Sequence, residues 1–383
     1  MRKVLVLHNR YRTLGGEDIA VDSEIVLLKK FYEVKELIFS NEITHPISQT
    51  ISFFTNKNKK SINSLIEQLD NFKPDVVYVH NTWFKASPGI FKILEDREIK
   101  TIIKLHNFRY DCTRHFSIKK HLNGNKKCPS CGLGRNKFFI NKYFKDSLLK
   151  SIFILIYGLR YFQIISSDKN IIFVLTNFHK KYIKKIITGL NSVHVYPNYI
   201  KNVRKNQVKK NKKNEIIYAG RISSEKGVEQ LIIAFKKSEL KNFKLKIVGT
   251  GPDEKILRQK YSSSNILFLG EIRNELVLDL ISESMAVVTA TKLYEGQPTL
   301  LCEASLLGIP SIFPRAGGIS EFFPENTLLS FEQNNVNDLT KKMNLLLDKN
   351  IIDKEGINNY SNISEYLDEE KLINKFDSVI SSE

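Results

Sequence analysis

Short apolar runs recur along the chain, and each is followed by an amphipathic segment long enough for a helix. The first group of runs is KVLVLH (3–8), DVVYVH (75–80), TIIKLH (101–106) and IIFVLT (171–176). The second group is EIIYAG (215–220), LKIVGTG (245–251), NILFLG (265–270), AVVTA (286–290) and PSIFP (310–314). Because these runs are apolar throughout and not only at alternate positions, they predict parallel strands covered by helices on both faces. The pattern therefore predicts a twofold α/β architecture.

A lysine-rich polar stretch between the two groups of runs has few residues that can build a core. It predicts a linker at 196–214, between a first domain at 1–195 and a second domain at 215–363. The length of 383 residues agrees with two domains, because single cores stop growing at about 250–300 residues. The segment SEYLDEEKLINKFDSVI predicts a helix within 364–383.

The charge of the chain favours an anionic partner. Lys and Arg number 59 against 41 Asp and Glu, a formal net charge of +18. Nucleic acid, an anionic membrane surface and a phosphorylated substrate all fit this charge. The sequence contains no recognisable nucleic-acid-binding module, which disfavours the first of the three.

The hydrophobic segments predict a cytoplasmic protein without a transmembrane helix. The apolar stretch in the opening MRKVLVLHNR is too short for a secretory signal. The longest apolar stretch, at 147–165, is interrupted by Lys150 and Arg160 and falls short of the roughly 20 apolar residues that span a bilayer.

Cysteine and histidine residues in the first domain leave two interpretations open. Cys112, Cys128 and Cys131, with His115 or His121, can form a structural zinc site of the Cys3His type. A single C-x-x-C is a weak signal, however, and reduced thiols in a loop are the favoured interpretation.

Two cations follow the first strand of the second domain. Arg221 and Lys226 lie in GRISSEKG, between Gly220 and Gly227, where a strand-to-helix loop is predicted. In open parallel sheets ligands bind beyond the carboxyl ends of the strands, and two cations there can hold a diphosphate. The alternative is a pair of solvated surface cations.

The stretch YEGQPTLLCEASLLGIP (294–310) predicts a helix that begins at Pro298 and ends near Gly308. Free N–H groups near Thr299 and Leu300 can donate hydrogen bonds to phosphate oxygens, and the partial positive charge of a helix N-terminus favours this anion. Glu295 then precedes the helix and Glu303 lies inside it, among apolar neighbours where an unpaired carboxylate is costly. Both acids are predicted to accept hydrogen bonds from hydroxyl groups.

These motifs, with LKIVGTGP and AGGISE (316–321), resemble the nucleotide-sugar half of retaining glycosyltransferases of the GT-B fold, family 4. The stretches HNRYRTLGGED (8–18), VHNTWFKASPGI (79–90) and KLHNFRYDC (104–112) are similar to the acceptor-side half of bacterial members that build surface polysaccharides. The resemblance implies a GT-B fold, with two Rossmann-like domains facing each other across a cleft and the C-terminal helix joined to the first. Gln297 departs from the family, where an aromatic residue is common.

The resemblance implies that a sugar moves from a UDP- or GDP-linked donor to a hydroxyl of a growing, lipid-linked bacterial surface glycan, such as O-antigen, capsule or lipopolysaccharide. Transfer would retain the anomeric configuration and would need neither a metal ion nor another cofactor. Two other functions stay open: a non-catalytic partner that binds nucleotide sugars, and a basic nucleic-acid-binding protein.

The resemblance also assigns roles to individual residues. The residues implied in catalysis are Arg221, Lys226, Glu295 and His106, the last as a substrate-positioning group. The residues implied in donor binding are Gly15, Gly16, Gly220, Gly249, Gly296, Gln297, Pro298, Thr299, Leu300 and Glu303. The residues implied in acceptor binding are His80, Asn81 and Asn107. For His106 the alternative is an ordinary hydrogen-bonded histidine, and for Gly15 and Gly16 a plain turn into a helix.

The segment 136–165 mixes Phe and Tyr with Lys and Arg. Such a mixture suits a helix pair lying on an anionic membrane, and it equally suits a buried helical hairpin with a lysine-bearing outer face. A lipid-linked acceptor would favour the first interpretation and would place the protein peripherally at the inner face of the cytoplasmic membrane.

Overall fold

The computed structural model describes residues 1–10, 15–41, 52, 55, 57–83, 85–108, 110, 148–190, 192–201 and 212–381. These residues form two compact units. Unit 1 contains the described residues up to Tyr199 together with those from Glu369 onward, and unit 2 contains those of Ile200–Asp368. The predicted zinc ligands Cys112, His115, His121, Cys128 and Cys131 lie outside the described residues, as do 136–147 and 202–211 of the predicted segments.

Unit 1 is built on a parallel six-stranded sheet in the order β2-β1-β3-β4-β5-β6. Its strands are β1 (Lys3–Arg10), β2 (Glu33–Ser40), β3 (Val76–Val79), β4 (Lys100–Leu105), β5 (Asn170–Val174) and β6 (Val193–Val195). Its helices are α1 (Gly16–Leu28), α2 (Lys59–Phe72), α3 (Gly89–Asp96), α4 (Leu148–Ile165), α5 (Asn177–Ile186) and, after unit 2, α12 (Glu369–Ser381). Strand order reverses beside β1, which lies between β2 and β3.

Unit 2 repeats this design with a second parallel six-stranded sheet, in the order β12-β11-β10-β7-β8-β9. Its strands are β7 (Glu215–Ala219), β8 (Lys244–Val248), β9 (Ile266–Gly270), β10 (Ala286–Val288), β11 (Ser311–Pro314) and β12 (Ser330–Phe331). Its α-helices are α6 (Val228–Lys237), α7 (Glu254–Tyr261), α8 (Asn274–Ser282), α9 (Thr299–Leu306), α10 (Val336–Asn344) and α11 (Lys349–Tyr366). Here the order reverses between β7 and β10.

The predicted α/β class with two parallel sheets is confirmed, and every predicted apolar run contains a strand. Three strands have no counterpart among the predicted runs: β2, β6 and β12. Strand β2 lies at a sheet edge and is partly exposed along most of its length, so its sequence EVKELIFS is not apolar throughout. The other two are only 3 and 2 residues long, which is too short for a pattern to form.

The bounds of the two predicted domains and of the linker stay predictions. Tyr196 and Tyr199, at the start of the predicted linker, are buried in the core of unit 1. The second half of α4, in the segment 136–165, packs inward: Tyr157, Tyr161 and Ile165 are buried. None of the described helices combines the length and the apolar character that a membrane crossing requires.

The helix α12 completes the core of unit 1. Phe376 is fully buried, and its ring lies 5.4 Å from that of Tyr78, 5.6 Å from that of Tyr32 and 5.8 Å from that of Tyr196, measured between centroids. Edge and tilted contacts at these distances are favourable for aromatic rings. The C-terminal segment is therefore an integral part of the first core.

We expect the substitution Phe376→Ala to lower the free energy of unfolding by about 3–5 kcal/mol, because it removes a buried ring and leaves a cavity. Urea unfolding followed by tryptophan fluorescence measures the effect in unit 1, since the single tryptophan, Trp83, lies there. Asn374→Ala, an exposed change on the same helix, is the control and should shift stability by no more than about 0.5 kcal/mol. Equal midpoints for the two variants would contradict this account of the core.

Candidate active site

The loops that follow β7 and β10 lie at the strand-order reversal of unit 2, where open parallel sheets bind their ligands. The first loop contains Arg221 and ends in a short 3-10 helix at Ser224–Lys226. The second leads from Thr291 to Pro298, at the start of α9. The N–H of Lys292 donates to the carbonyl of Glu225 over 2.8 Å and joins the two loops.

Glycines let these loops approach each other more closely than other residues would. Gly227 has φ +70°, and a Cβ atom there would lie 2.0 Å from the carbonyl oxygen of Ala290. A Cβ on Gly249, which has φ +120° and follows β8, would lie 2.1 Å from the carbonyl oxygen of Gly220. Both approaches are far below any real Cβ contact, so only glycine fits. The glycines thereby set the spacing of the three loops.

Lys226 and Glu295 meet across the joined loops. The Nζ atom of Lys226 lies 2.6 Å from Oε1 of Glu295, and the hydroxyl of Thr291 donates to the same oxygen over 3.0 Å. Burial raises the pKa of Glu295, but the ammonium and the hydroxyl outweigh it and hold the pKa below its ordinary value. Glu295 is therefore an ionised acceptor, and each side chain keeps about a third of its surface open to solvent.

The backbone of Glu295 also contacts the loop that follows β11. Its carbonyl accepts from the N–H of Gly318 over 2.9 Å, and a Cβ on Gly317 would lie 2.7 Å from the same carbonyl oxygen. The side chain of Gln333 donates to the carbonyls of Thr291 and Leu293. The ionised acid is thus held by a rigid frame of main-chain contacts.

Arg221 lies in the same loop as Lys226, directly after Gly220. Its side chain is exposed, and its carbonyl accepts from the hydroxyl of Tyr218 over 2.8 Å. Within the described part of the chain, no carboxylate forms an ion pair with its guanidinium. The guanidinium is consequently available to an anionic ligand.

The helix α9 begins after Pro298, as the sequence predicts. The N–H of Thr299 donates to the carbonyl of Gln297 over 3.1 Å, so this predicted donor is engaged within the turn. The second predicted donor, the N–H of Leu300, lies one residue further along the first turn. Gly296 and Gln297 are buried just before the helix, and the Gln297 side chain hydrogen-bonds to the thiol of Cys302.

Glu303 is buried on α9, as its apolar sequence neighbours predict. Burial raises the pKa of its carboxyl group to about 7, against a smaller opposing effect of a hydrogen bond from Asn274. Near neutral pH this side chain can therefore donate as well as accept a hydrogen bond.

Unit 1 places a row of histidines at the carboxyl edge of its sheet. His8 lies near the end of β1, His80 follows β3, and His106 follows β4, three neighbouring strands. The ring centroids of His8 and His80 are 6.2 Å apart, and those of His80 and His106 are 5.2 Å apart. Nδ1 of His80 and Nε2 of His106 share a hydrogen bond of 2.9 Å. His106 is therefore hydrogen-bonded, and its partner is another predicted site residue.

Charged side chains lie beneath this row. Nε2 of His8 lies 2.8 Å from Oδ1 of Asp18 on α1. Glu24 also lies on α1, closer to its C-terminal end than Asp18. It forms a fully buried ion pair with Lys104 of β4. The hydroxyl of Tyr78 donates to the other oxygen of Glu24 over 2.9 Å. Burial lowers the pKa of Lys104 to about 8, although the carboxylate acts in the opposite direction.

The other predicted residues of unit 1 make internal contacts. Asn81 donates to the carbonyl of Asn9 over 2.8 Å and accepts from the N–H of Trp83, so its amide group holds the loop after β3. Asn107 donates to Glu17 over 3.2 Å. Gly15 precedes α1 with φ −123°, and its N–H donates to Asp18. A Cβ on Gly16 would meet nothing within 4 Å.

Sequence reasoning missed several residues that build these arrangements. They are His8, Asp18, Glu24, Lys104 and Thr291. A signal existed for His8, because the runs at 3–8, 75–80 and 101–106 all end in histidine. Among the residues that the structure describes, no group of three or more His, Cys, Asp or Glu side chains is arranged to hold a metal ion.

Comparison with known proteins supports the resemblance for the second half of the chain. A family model described as "Glycosyl transferases group 1" matches residues 200–366. Protein CapJ of Staphylococcus aureus is 30% identical over 129 residues, which cover 33% of this chain and 32% of CapJ. The putative teichuronic acid biosynthesis glycosyltransferase TuaC of Bacillus subtilis is 32% identical over 108 residues, which cover 28% of this chain and 26% of TuaC. Each match thus spans a third or less of the relative.

Solved structures agree in fold over the whole chain. Anabaena HepE, in complex with UDP and glucose, superposes with a TM-score of 0.68 and 14% identity, covering 100% of both chains. At this identity the likeness concerns the fold alone, and it confirms that the chain has the GT-B fold of known glycosyltransferases.

We expect Gly227→Ala to destabilise the protein by at least about 2 kcal/mol more than Gly270→Ala, because the new methyl group collides with the carbonyl of Ala290. Gly270 is a matched control: its φ of +73° carries the same backbone strain, and a Cβ there meets nothing within 4 Å. Thermal unfolding of both variants measures the difference. Equal losses would mean that the close approach of the loops imposes no constraint.

We expect Glu303→Gln to be more stable than the wild type at pH 8 by about 3 kcal/mol, and equally stable near pH 4. The folded-state pKa of about 7 lies above the ordinary value of 4.5, so the folded protein binds the proton more tightly than the unfolded chain does. Wild-type stability is therefore lost as pH rises through 7, whereas glutamine carries no charge at any pH. Urea midpoints measured by circular dichroism across this range test the sign. The control is Glu325→Gln, at an exposed position. Its stability should change with pH in the same way as that of the wild type.

Proposed function

We propose, from the match of residues 200–366 to the model of glycosyl transferases group 1, that the chain transfers a sugar from a nucleoside diphosphate sugar to a hydroxyl acceptor with retention of configuration. The observation that carries the proposal is the frame that holds Lys226, Glu295 and Thr291 beside the start of α9, at the strand-order reversal of unit 2.

In the proposed reaction, the departing nucleoside diphosphate gains negative charge as the bond to the sugar breaks. Arg221, Lys226 and the first turn of α9 would stabilise this charge. The proposed reaction would then need neither a metal ion nor another cofactor. Glu295 would accept hydrogen bonds from sugar hydroxyls, and Glu303 from the ribose. Gly220, Gly249 and Gly296 would let the backbone approach the donor.

The ion pair of Lys226 and Glu295 gives the donor site two states. Without a donor, each group neutralises the other across 2.6 Å. A diphosphate would compete for the ammonium, and sugar hydroxyls would replace it at the carboxylate. Because a partly exposed ion pair contributes no more than about 1 kcal/mol, the exchange costs little.

Unit 1 would supply the acceptor side. We assign His106 to positioning of the sugar, and His80, Asn81 and Asn107 to the neighbourhood of the acceptor. The amide groups of Asn81 and Asn107 already make internal hydrogen bonds, which favours a role in shaping this region over direct contact. Gly15 and Gly16 remain proposed for backbone contact with the donor.

The acceptor that we propose is a lipid-linked bacterial surface glycan. The similarity to TuaC, a putative glycosyltransferase of teichuronic acid biosynthesis, supports a cell-surface glycan. UDP in the HepE complex supports a UDP-linked donor, and a GDP-linked donor is the alternative. The formal charge of +18 supports peripheral contact with an anionic membrane from the cytoplasmic side.

A panel of nucleotide sugars tests the donor and separates this proposal from nucleic-acid binding. UDP-glucose, UDP-N-acetylglucosamine, GDP-mannose and single-stranded DNA are added separately in a thermal-shift assay. A ligand at 100 times its dissociation constant stabilises a protein by about 2.7 kcal/mol. One class of nucleotide sugar should raise the melting temperature. A shift with DNA alone would contradict the proposal.

We expect Lys226→Ala and Glu295→Ala each to lower turnover of that donor by about 100-fold or more, because each removes a charged group from the reacting diphosphate or sugar. Turnover is measured by release of the nucleoside diphosphate, and circular dichroism checks that the variants fold. Lys237→Ala, which removes an exposed lysine from the neighbouring helix α6, is the control for loss of one positive charge. Near-normal turnover by both site variants would refute the assignment. Donor binding without turnover in the wild type would instead support a non-catalytic partner.

A further inference from the structure

His80 and His106 form a buried hydrogen bond whose direction the surrounding charges determine. Nδ1 of His80 and Nε2 of His106 lie 2.9 Å apart. On its other side, Nε2 of His80 lies 3.9 Å from Oε2 of Glu24. Glu24, His80 and His106 therefore form a row that begins at a carboxylate and ends at Nδ1 of His106, and within it the contact between the two rings is a hydrogen bond.

Both rings of this row are neutral. Burial lowers the pKa of His80 and of His106 well below the ordinary value, and the nearby ammonium of Lys104 acts in the same direction. A neutral imidazole carries one N–H and one bare nitrogen. The 2.9 Å contact can therefore hold one proton, and that proton belongs either to His106 or to His80.

If the proton belongs to Nε2 of His106, then His80 carries its own proton on Nε2. The N–H of His80 then lies on the side of the Glu24 carboxylate, whose oxygen is 3.9 Å from Nε2; this distance is too long for a hydrogen bond, but the attraction between the N–H dipole and the negative charge is favourable. Nδ1 of His106 is then a bare acceptor. It is buried and has no hydrogen-bond partner among the described residues.

If the proton belongs to Nδ1 of His80, the end of the row at Glu24 becomes unfavourable. A nitrogen lone pair of His80 then faces the carboxylate of Glu24 at 3.9 Å. His106 in turn carries a buried N–H on Nδ1 without a described acceptor. Each arrangement leaves one buried N–H without a hydrogen bond, on Nε2 of His80 or on Nδ1 of His106, so the carboxylate beside His80 is what distinguishes them.

We propose that Glu24, acting through His80, fixes the tautomer of His106 so that its Nδ1 presents a lone pair to a hydroxyl group of the sugar substrate. Glu24 and His80 are positioning residues in this scheme. The inference deepens the proposed function and rests on it for the identity of the hydroxyl. The direction of the hydrogen bond itself does not depend on that function.

The first experiment determines the tautomers directly. The full chain is labelled with ¹⁵N-histidine, and long-range ¹H–¹⁵N spectra are recorded at pH 7.5. Resonances are assigned by comparison with His80→Phe and His106→Asn. Both His80 and His106 should carry their proton on Nε2. A proton on Nδ1 of either ring, or a doubly protonated ring, would overturn the proposal whether or not the chain turns out to transfer sugars.

The influence of Glu24 is tested by removing its charge together with that of its partner, because either charge alone would be left unpaired in the core. In the double variant Glu24→Gln, Lys104→Met, the Nε2–H form of His106 should give way to a mixture of the two tautomers. An unchanged His106 spectrum in a folded double variant would overturn the role of Glu24. If the double variant does not fold, the wild-type spectrum still decides the tautomer.

Substitution of His106 tests which nitrogen meets the substrate. In His106→Asn the amide oxygen takes the place of Nδ1, whereas in His106→Gln an amide group takes the place of Nε2. With the nucleotide sugar that gives the largest shift among UDP-glucose, UDP-N-acetylglucosamine and GDP-mannose, the Asn variant should keep turnover within about 10-fold of wild type and the Gln variant should lose about 100-fold. The same two changes at His194, in β6, are the control and should leave turnover unchanged. The reverse order at His106 would overturn the assignment of Nδ1.

Discussion

The candidate site of unit 2 depends on one steric constraint, which is that backbone atoms of neighbouring loops lie where a Cβ atom would otherwise be. The constraint operates at Gly227 against Ala290, at Gly249 against Gly220, and at Gly317 against Glu295. Together these approaches join the loops that follow β7, β8, β10 and β11. The short distance between Lys226 and Glu295 is a result of this main-chain packing. A partly exposed ion pair, worth no more than about 1 kcal/mol, is too weak to hold several loops in place by itself.

Unit 1 is organised by a different interaction, the fully buried pair of Lys104 and Glu24. Such a pair contributes little to stability, because the cost of desolvating two charges offsets most of their attraction. Its effect on its neighbours is larger. Burial lowers the pKa of His80 and of His106, the ammonium acts in the same direction, and the carboxylate accepts from Tyr78 while lying 3.9 Å from His80. The two units therefore place their charges differently: unit 2 leaves Arg221 and Lys226 open to solvent, whereas unit 1 encloses an ion pair beside neutral rings.

The sequence predicted most of the fold because strands in parallel sheets are apolar along their whole length, and such runs are visible without any partner. It could not predict β2, whose edge position relaxes that requirement. In the site, the start of α9 and the burial of Glu303 were predictable because both depend on neighbours in sequence. The pairing of Glu24 with Lys104 was not, since the two are 80 positions apart in the sequence and meet only in the folded core. His8 was predictable in principle, from the histidine that ends three of the runs.

The position of α12 in the sequence affects the order in which the two units can fold during synthesis. Phe376 belongs to the core of unit 1, yet the ribosome adds it to the chain after it has synthesised unit 2. During synthesis the first sheet must wait, with Tyr32, Tyr78 and Tyr196 lacking the ring that covers them. Apolar surface that waits in this way is a target for aggregation and for chaperones. The described strands and helices of unit 2 lie in one continuous segment, from Glu215 to Tyr366, so their synthesis is complete before that of α12 begins. The later half of the chain can thus fold first, and the earlier half is completed last.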